Sequence, residues 1–172
     1  MYAFEKAIRT MPDFPSAGIA FKDIAPLLAE PAHFSEAIHA FRERFENQSI
    51  DLIVGIESRG FIFASALAYA MDCGVALVRK PGKLPGEVHS ISYALEYGHD
   101  QLEIQKDALA KGARVLLMDD VLATGGTMQA TKELLDQHFE VDIVAAAFLI
   151  ELTFLKGRDP LDPLPIESLI SY

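Results

Sequence analysis

Two adjacent aspartates, followed by a glycine-bearing loop, carry the clearest chemistry in this sequence. Asp119 and Asp120 follow an apolar stretch, Val115 to Met118, and precede the loop residues Ala123, Thr124, Gly125, Gly126 and Thr127. A loop of small residues at the start of a helix presents backbone N–H groups and the positive end of the helix dipole, which bind phosphate. Carboxylates repel phosphate, so the two aspartates suit sugar hydroxyls or a divalent cation instead. The run from Arg114 to Met128 therefore indicates a sugar-phosphate site.

The two aspartates are expected to have different partners. Consecutive residues of a strand point to opposite faces, so one carboxylate should face a ribose diol and the other a metal ion or a backbone donor. The loop lacks the Gly-x-x-x-x-Gly-Lys-Ser/Thr pattern of nucleoside triphosphatases, which counts against that class. The alternative, an ordinary strand and helix joined by a glycine turn, leaves the paired acids at a strand end unexplained.

Two further segments place phosphate-binding chemistry after apolar runs. Glu57-Ser58-Arg59-Gly60 opens a helical stretch, and a serine hydroxyl beside an arginine fork suits a diphosphate. Arg79, Lys80 and Lys83 place three positive charges within five residues. Taken singly, a helix cap and a solvated basic turn explain these segments as well. Parallel strands carry ligands at their carboxyl ends, so we expect all three loops to meet at one edge of a sheet.

The surrounding pattern predicts an α/β fold. Apolar runs typical of buried strands alternate with helical stretches: Leu52 to Ile56, Phe61 to Met71, Val75 to Val78, Val115 to Met118, Met128 to Phe139 and Ile143 to Ile150. Such alternation favours a mostly parallel twisted sheet with helices on both faces. A last strand is expected at Ile166 to Ile170, and an amphipathic helix at His33 to Asn47.

Two segments depart from the alternation. Residues 1–31 are expected to form an N-terminal arm, with a short helix at Met1 to Thr10, and a loop-rich hood over the sheet. Prolines and glycines interrupt the chain between Lys80 and Asp107, where Val88 to Tyr93 and Gln101 to Ile104 suit a loose hairpin. We expect residues 80–107 to have few buried contacts and to act as a mobile lid, the flexible catalytic loop of the protein.

Composition limits the classes of function. The 172 residues suit a single domain, 1–172, and the 51% hydrophobic content suits a substantial core. A net charge of −10 opposes nucleic acid as a partner. The first residues lack a signal-peptide core, and no apolar stretch has bilayer length, so a cytoplasmic location without membrane association is expected. Cys73 is the only cysteine, which excludes an internal disulfide.

The aspartate and glycine segment resembles the phosphoribosyl pyrophosphate signature of type I phosphoribosyltransferases, a family in which the loop matching Glu57 to Gly60 often contains a cis peptide. Longer stretches are similar to the adenine phosphoribosyltransferase family: Phe14-Pro15, Gly18 to Ile24, Glu57 to Phe61, Arg79 to Gly86, Tyr93 to Gly98, Leu102 to Gln105, and Glu151 to Thr153 with Leu155 to Arg158. Ala17 and Lys22 depart from that family, where proline and arginine are common. Lysine lacks the planar fork of arginine, so Lys22 puts the affinity for adenine in question.

The resemblance implies a purine salvage transferase that converts adenine and 5-phospho-α-D-ribose 1-diphosphate to AMP and diphosphate. It implies that Glu96 and Arg59 are catalytic, with Glu96 exchanging a proton with the purine. The residues implied to bind phosphoribosyl pyrophosphate or AMP are Asp119, Asp120, Ala123, Thr124, Gly125, Gly126 and Thr127. Those implied to bind pyrophosphate are Glu57, Ser58, Arg59, Arg79 and Lys83.

Adenine is implied to lie against Ala20, Phe21 and Lys22, with Phe21 stacking on the base. Mg²⁺ is implied to be held mainly through the substrate, with Asp119 and Asp120 as candidate ligands. A homodimer is also implied. Phe21 as a core aromatic and Glu96 as a solvent-facing glutamate remain the plainer interpretations of those two residues.

Two other functions stay open. One is a transferase for a 6-oxopurine or a pyrimidine. The other is a regulatory sensor of phosphoribosyl pyrophosphate that keeps the fold and binds nucleic acid, which the acidic composition opposes.

Overall fold

A five-stranded sheet forms the centre of the protein, whose structure is a computed structural model describing residues 2–94 and 99–172. The described strands are β1 (Arg9–Met11), β2 (Phe21–Asp23), β3 (Leu52–Ile56), β4 (Gly74–Val78), β5 (Val88–Ala94), β6 (His99–Gln105), β7 (Arg114–Leu122), β8 (Asp142–Glu151) and β9 (Ile166–Ser171). The described α-helices are α1 (Ala25–Ala29), α2 (Pro31–Phe45), α3 (Gly60–Met71) and α4 (Gly126–His138). None of the helices in these residues is long and apolar enough to cross a membrane.

The sheet has the order β4-β3-β7-β8-β9, and each neighbouring pair of strands is parallel. This arrangement confirms the predicted α/β class. Strands β3 and β7 lie inside the sheet, as their continuous apolar runs require, and Ile53, Val54, Leu116 and Leu117 are fully buried. The strand ends are within a few residues of the predicted ones, except at β7.

Alternate residues of β3 and β7 face opposite sides of the sheet and divide the core in two. On one side, Ile53 and Leu116 pack with the buried faces of α2 and α3 and with Phe4, forming what we call the hood-side core. On the other side, Val54 and Leu117 pack with α4 and with β6, forming the hairpin-side core. Helices therefore cover both faces of the sheet, as predicted.

Strand β7 is longer than the apolar run that predicted it. It continues through Leu122, so Asp119 and Asp120 lie within the strand rather than after it. The reason is its neighbour β8, which pairs Phe148 with Asp119 and Glu151 with Leu122. Ladder hydrogen bonds to a buried neighbour hold a polar stretch in strand geometry that its own composition does not favour.

The N-terminal arm contains more strand and less helix than expected. Instead of a helix over residues 1–10, a 3₁₀ turn spans Ala3–Ala7, with the N–H groups of Ala3 and Phe4 donating to the Glu36 carboxylate at 3.0 and 3.2 Å. Strand β1 then pairs antiparallel with β2 of the hood, and an ion pair joins Arg9 to Asp23. The hood is thus a small ribbon followed by α1.

The predicted hairpin between residues 80 and 107 is present as β5 and β6, paired antiparallel from Val88 with Gln105 to Ala94 with His99. The expectation that this segment has few buried contacts is wrong for β6. Leu102 and Ile104 of β6 are fully buried in the hairpin-side core, and the His89 ring stacks on His138 of α4 with centroids 4.0 Å apart. The base of the hairpin belongs to the core, and lid motion stays a prediction.

Leu102→Ala tests whether the base of the hairpin is part of the core. Because Leu102 is fully buried, the change should lower the free energy of unfolding by about 2–5 kcal/mol, the usual cost of a cavity of this size. Leu155→Ala is the matched control, since Leu155 is 38% exposed, and should cost less than about 1 kcal/mol. Urea unfolding measures both, and similar values for the two variants would contradict a structural role for the hairpin base.

Candidate active site

The loop between β7 and α4 has the geometry of a phosphate cradle. Its residues, together with Asp119, line a cavity of about 80 Å³. Gly125 has a φ of 84°, a left-handed backbone conformation that favours glycine. Helix α4 begins at Gly126 and carries no acidic residue in its first turn, so its N–H groups and dipole give the loop a positive potential.

The two aspartates before this loop face different partners, as the strand alternation predicts. Asp119 Oδ1 accepts a hydrogen bond from the Asp120 backbone N–H at 2.8 Å, and Asp120 Oδ2 lies 2.8 Å from Arg59 Nε. Burial raises the pKa of Asp119 well above its usual range, and the charge of Asp120 raises it further. Burial also raises the pKa of Asp120, although Arg59 opposes that shift.

Asp120 is paired with a cation within the site. Its Oδ2 atom is buried and lies 2.8 Å from Arg59 Nε, which is its charged partner among the described residues. A buried carboxylate that is paired with a guanidinium avoids the cost of an isolated charge. Within the described part of the chain, no three His, Cys, Asp or Glu side chains are grouped to enclose a metal ion. The aspartate oxygens are of the type that Mg²⁺ prefers, but they fit an ion held mostly by a substrate.

The loop after β3 packs directly against the end of β7. A Cβ atom on Gly60 would lie 2.8 Å from the Met118 carbonyl oxygen and 2.9 Å from Asp119 Oδ1. The Glu57–Ser58 peptide in this loop is cis, as the family resemblance suggested. A glycine at the start of α3 therefore lets the Arg59 segment approach the two aspartates, which brings the predicted sugar and diphosphate loops together.

Glu57 gathers the positive charges that follow β4. Its carboxylate accepts hydrogen bonds from Lys83 Nζ at 2.5 Å, from the Lys80 backbone N–H at 2.9 Å and from Arg79 Nε at 3.2 Å. The side chain of Glu57 is only 9% exposed. Burial by itself would raise the pKa of Glu57, but the hydrogen bonds from Lys83, Lys80 and Arg79 lower it to about 2. Glu57 is therefore an anion that holds Lys83 and Arg79 next to the Ser58–Arg59 turn.

The hood reaches the same edge of the sheet through Phe21. The guanidinium of Arg59 lies over the Phe21 ring, with Cζ 4.8 Å from the centroid, a cation–π contact. Lys22 is next in β2 and so faces the other side of the ribbon. Its Nζ lies 3.0 Å from Thr10 Oγ1 and 3.5 Å from the centroid of the Tyr172 ring. The Lys22 side chain is thus occupied away from Phe21.

Outside the phosphate loop, the predicted residues form two clusters. In the first cluster, Arg59 contacts both Asp120 and Phe21. The second cluster is formed by Glu57 with Arg79 and Lys83. Ser58 and Ala20 are exposed beside these clusters in sequence. Glu96 lies outside the described residues.

Sequence reasoning missed the contact of the hairpin with the phosphate loop. The Tyr93 hydroxyl lies 3.3 Å from Thr127 Oγ1 and 3.2 Å from Asp100 Oδ2, and Asp100 pairs with Lys80. The contact between Tyr93 and Asp100 could have been predicted from the hairpin, because the two residues lie directly opposite each other in its ladder. Their closeness to Thr127 depends on how the hairpin packs on α4, which the sequence pattern does not contain. Glu103 of β6 was also missed; its Oε2 accepts the Gly82 N–H at 2.9 Å.

Comparison with known proteins gives the class and then the family. The phosphoribosyl transferase domain family matches residues 24–162, so the fold is that of a phosphoribosyltransferase. Adenine phosphoribosyltransferase of a Roseiflexus species is 53% identical over 165 residues, which cover 96% of this chain and 95% of that relative. That of Stochomys longicaudatus is 50% identical over 170 residues, with 97% and 94% covered. The chain belongs to the adenine phosphoribosyltransferase family, which confirms the predicted family and enzyme class.

Solved structures agree with this assignment. The crystal structure of adenine phosphoribosyltransferase from Thermoanaerobacter pseudethanolicus is similar with a TM-score of 0.95 and 47% identity, covering 98% of each chain. A structure of the Trypanosoma brucei adenine phosphoribosyl transferase, in complex with AMP, pyrophosphate and ribose-5-phosphate, is similar with a TM-score of 0.87 and 29% identity. It covers 98% of this chain and 77% of that one. The predicted type of fold is confirmed.

Glu57→Gln tests the cluster through its pH dependence. The folded pKa of about 2 lies below the ordinary 4.5, so the stabilisation by Glu57 is complete above the ordinary value and disappears as the pH falls toward 2. The stability of wild type minus that of the variant should therefore decrease over this acid range. Urea unfolding at several pH values measures the difference. Glu43→Gln, at an exposed position, is the control, and a pH-independent difference for Glu57→Gln would contradict the ion-pair cluster.

Proposed function

We propose that the chain transfers the 5-phosphoribosyl group of phosphoribosyl pyrophosphate to N9 of adenine, forming AMP and diphosphate. The observation that carries this proposal is the position of Arg59, whose guanidinium pairs with Asp120 and lies over Phe21. One side chain thereby joins the sugar-phosphate segment, the diphosphate loop and the hood. The ligands named for the Trypanosoma brucei structure are of the same chemistry.

The phosphoribosyl group fits the segment from Asp119 to Thr127. Its 5-phosphate accepts hydrogen bonds from the backbone N–H groups of the loop and the start of α4. The ribose hydroxyls donate to the aspartates, of which Asp119 lines the cavity of the phosphate loop and Asp120 is held by Arg59. Two carboxylates in contact with the sugar fix the position of C1 relative to the attacking base, which is where positioning lowers the barrier.

The diphosphate fits the turn at Ser58 and Arg59 and the cations beyond β4. Bond breaking at C1 leaves negative charge on the departing diphosphate, and Arg59, Arg79 and Lys83 stabilise it. Glu57 would repel the diphosphate, so its place in the site is to hold Lys83 and Arg79 in position. A diphosphate competes with Glu57 for these cations, since it offers more acceptor oxygens than one carboxylate.

Adenine fits the hood, with its ring on Phe21 and its edge against the backbone of Ala20 to Lys22. A backbone carbonyl accepts from the 6-amino group and a backbone N–H donates to N1. Because the Lys22 side chain is engaged by Thr10 and Tyr172, its difference from arginine is expected to leave adenine affinity unchanged. Glu96 is proposed to exchange the purine proton.

Mg²⁺ is proposed as the cofactor, bound mainly to substrate oxygens, with Asp119 and Asp120 as the side chains able to reach it. When bound, it would neutralise charge on the diphosphate group. The homodimer and the cytoplasmic location implied by the family resemblance are part of the same proposal.

The substrate assignment predicts Mg²⁺-dependent formation of AMP from adenine and phosphoribosyl pyrophosphate, with hypoxanthine and guanine far poorer. The 6-amino group of adenine donates a hydrogen bond to a backbone carbonyl. The 6-oxo group of hypoxanthine and guanine is an acceptor and cannot donate, so the backbone carbonyl would be buried without a partner. Initial rates with the three bases, with and without Mg²⁺, measure this. Comparable turnover of hypoxanthine would favour the 6-oxopurine alternative.

Asp120→Asn tests the sugar contacts. The amide keeps the shape of the side chain but weakens the contact with Arg59 and with the ribose hydroxyls, so kcat/KM for phosphoribosyl pyrophosphate should fall about tenfold or more. Asp136→Asn, which alters only the exposed pair with Lys132, is the matched control. If both variants retain the wild-type value, Asp120 has no part in binding the sugar.

A further inference from the structure

The segment from residue 151 to residue 161, which we call the back segment, packs against the phosphate loop. It includes Glu151 at the end of β8, buried Gly157, and a 3₁₀ turn at Asp159–Leu161. Leu161 is buried in the hairpin-side core with Leu122. Part of this segment carries the family resemblance, but the proposed reaction gives it no role.

Two glycines bring the back segment and the phosphate loop into backbone contact. A Cβ atom on Gly157 would lie within 2.3 Å of the Ala123 carbonyl oxygen, and one on Gly125 within 2.3 Å of the Gly157 carbonyl oxygen. Both obstructing atoms belong to the backbone, which cannot rotate aside as a flexible side chain can. The position of the loop is therefore set by the back segment as well as by its own strand and helix.

An ion pair holds the back segment in place. Arg158 Nε and Nη2 donate to the two carboxylate oxygens of Glu151 at 2.7 and 2.6 Å, and Nη1 donates to the Ile166 carbonyl at 3.1 Å. Glu151 is 5% exposed and pairs in the ladder with Leu122, the residue before the phosphate loop. The parallel hydrogen bonds from Arg158 lower the pKa of Glu151, against the effect of burial. A two-pronged pair of this kind fixes orientation as well as distance.

We propose that the back segment is a positioning element for the 5-phosphate, with Gly157 and Arg158 as positioning residues that set the affinity of the loop. This proposal rests on the proposed function, in which residues 123–127 bind that phosphate. Hydrogen bonds to a phosphate depend steeply on the placement of the donors. The contact at Gly157 and the Arg158 pair therefore affect binding of phosphate-bearing ligands, although neither residue touches the ligand.

The test is the affinity for ribose 5-phosphate, measured by isothermal titration calorimetry on the full chain. Gly157→Ala pushes on the Ala123 carbonyl and should raise the Kd about tenfold or more, the effect of weakening one charge-assisted hydrogen bond. Arg158→Lys keeps the charge but loses the fork, and should raise the Kd about threefold or more. Kd for adenine should change less than about twofold in both variants, because the contacts given above for Gly157 and Arg158 are with the phosphate loop, Glu151 and Ile166 and not with hood residues. A general loss of folded protein would lower the fraction of active sites and leave both dissociation constants unchanged.

Two matched controls separate position from chemistry. Gly74→Ala adds a methyl group at ordinary contact distance from Leu52. Arg44→Lys alters another arginine–glutamate pair, with Glu167. Both should leave the Kd for ribose 5-phosphate within about twofold of wild type.

The binding and activity measurements test the positioning role and the proposed substrates separately. The positioning role is overturned if the Kd for ribose 5-phosphate is unchanged in Arg158→Lys, and in Gly157→Ala if that variant folds. It is also overturned if the wild-type chain fails to bind ribose 5-phosphate. Wild-type chain that binds ribose 5-phosphate but forms no AMP overturns the proposed substrates instead, and the variants still test the positioning role.

Discussion

The parallel pairing of β3 with β7 is the constraint on which the site depends. Gly55 lies beside Met118 in this ladder, so the two strands end at the same edge of the sheet. The loop after β3 and the aspartates of β7 are then neighbours, and Gly60 allows their backbones to touch. Arg59 reaches Asp120 only because of this approach. A shift of one residue in the pairing would turn the aspartate that meets Arg59 to the other face of the sheet.

Three carboxylates of the site are paired with cations before any ligand enters. Asp120 faces Arg59, Glu57 faces Lys83 and Arg79, and Asp100 faces Lys80. Such pairing keeps the buried carboxylates from being isolated charges, which would be costly. An anionic substrate therefore exchanges one set of ion pairs for another. In the proposed function, the affinity for phosphoribosyl pyrophosphate is then the difference between the two sets and not the attraction of free cations.

The sequence predicts the parts of the fold that have strong local patterns. Strands β3, β4 and β8 follow continuous apolar runs, and α2 follows helical spacing, so their positions were close to those observed. The extension of β7 through Leu122 depends on its neighbour β8. The β1–β2 ribbon depends on pairing between two short segments whose own residues do not show a strand pattern. Long-range pairing of this kind leaves little trace in local composition.

The site was predictable in its loops but not in its contacts. The glycine loop, the Ser58–Arg59 turn and the cations after β4 all follow strands, which is enough to place them at one edge. The partners were not predictable: Glu57 holds cations, Lys22 lies against Tyr172, and Tyr93 reaches Thr127. These depend on strand alternation and on packing between separate elements. The breakers between residues 80 and 107 suggested a loose segment, although the alternate apolar residues Leu102 and Ile104 bury β6.

The division of the core by the sheet has a consequence for how the sequence can change. The hood-side core supports α2, α3 and the hood, and the hairpin-side core supports α4 and the base of the hairpin. Substitutions in the two cores are separated by the backbone of β3 and β7, and changes at sites without shared partners combine additively. Substitutions in the hood-side core are therefore expected to add to those in the hairpin-side core when their effects on the free energy of unfolding are combined.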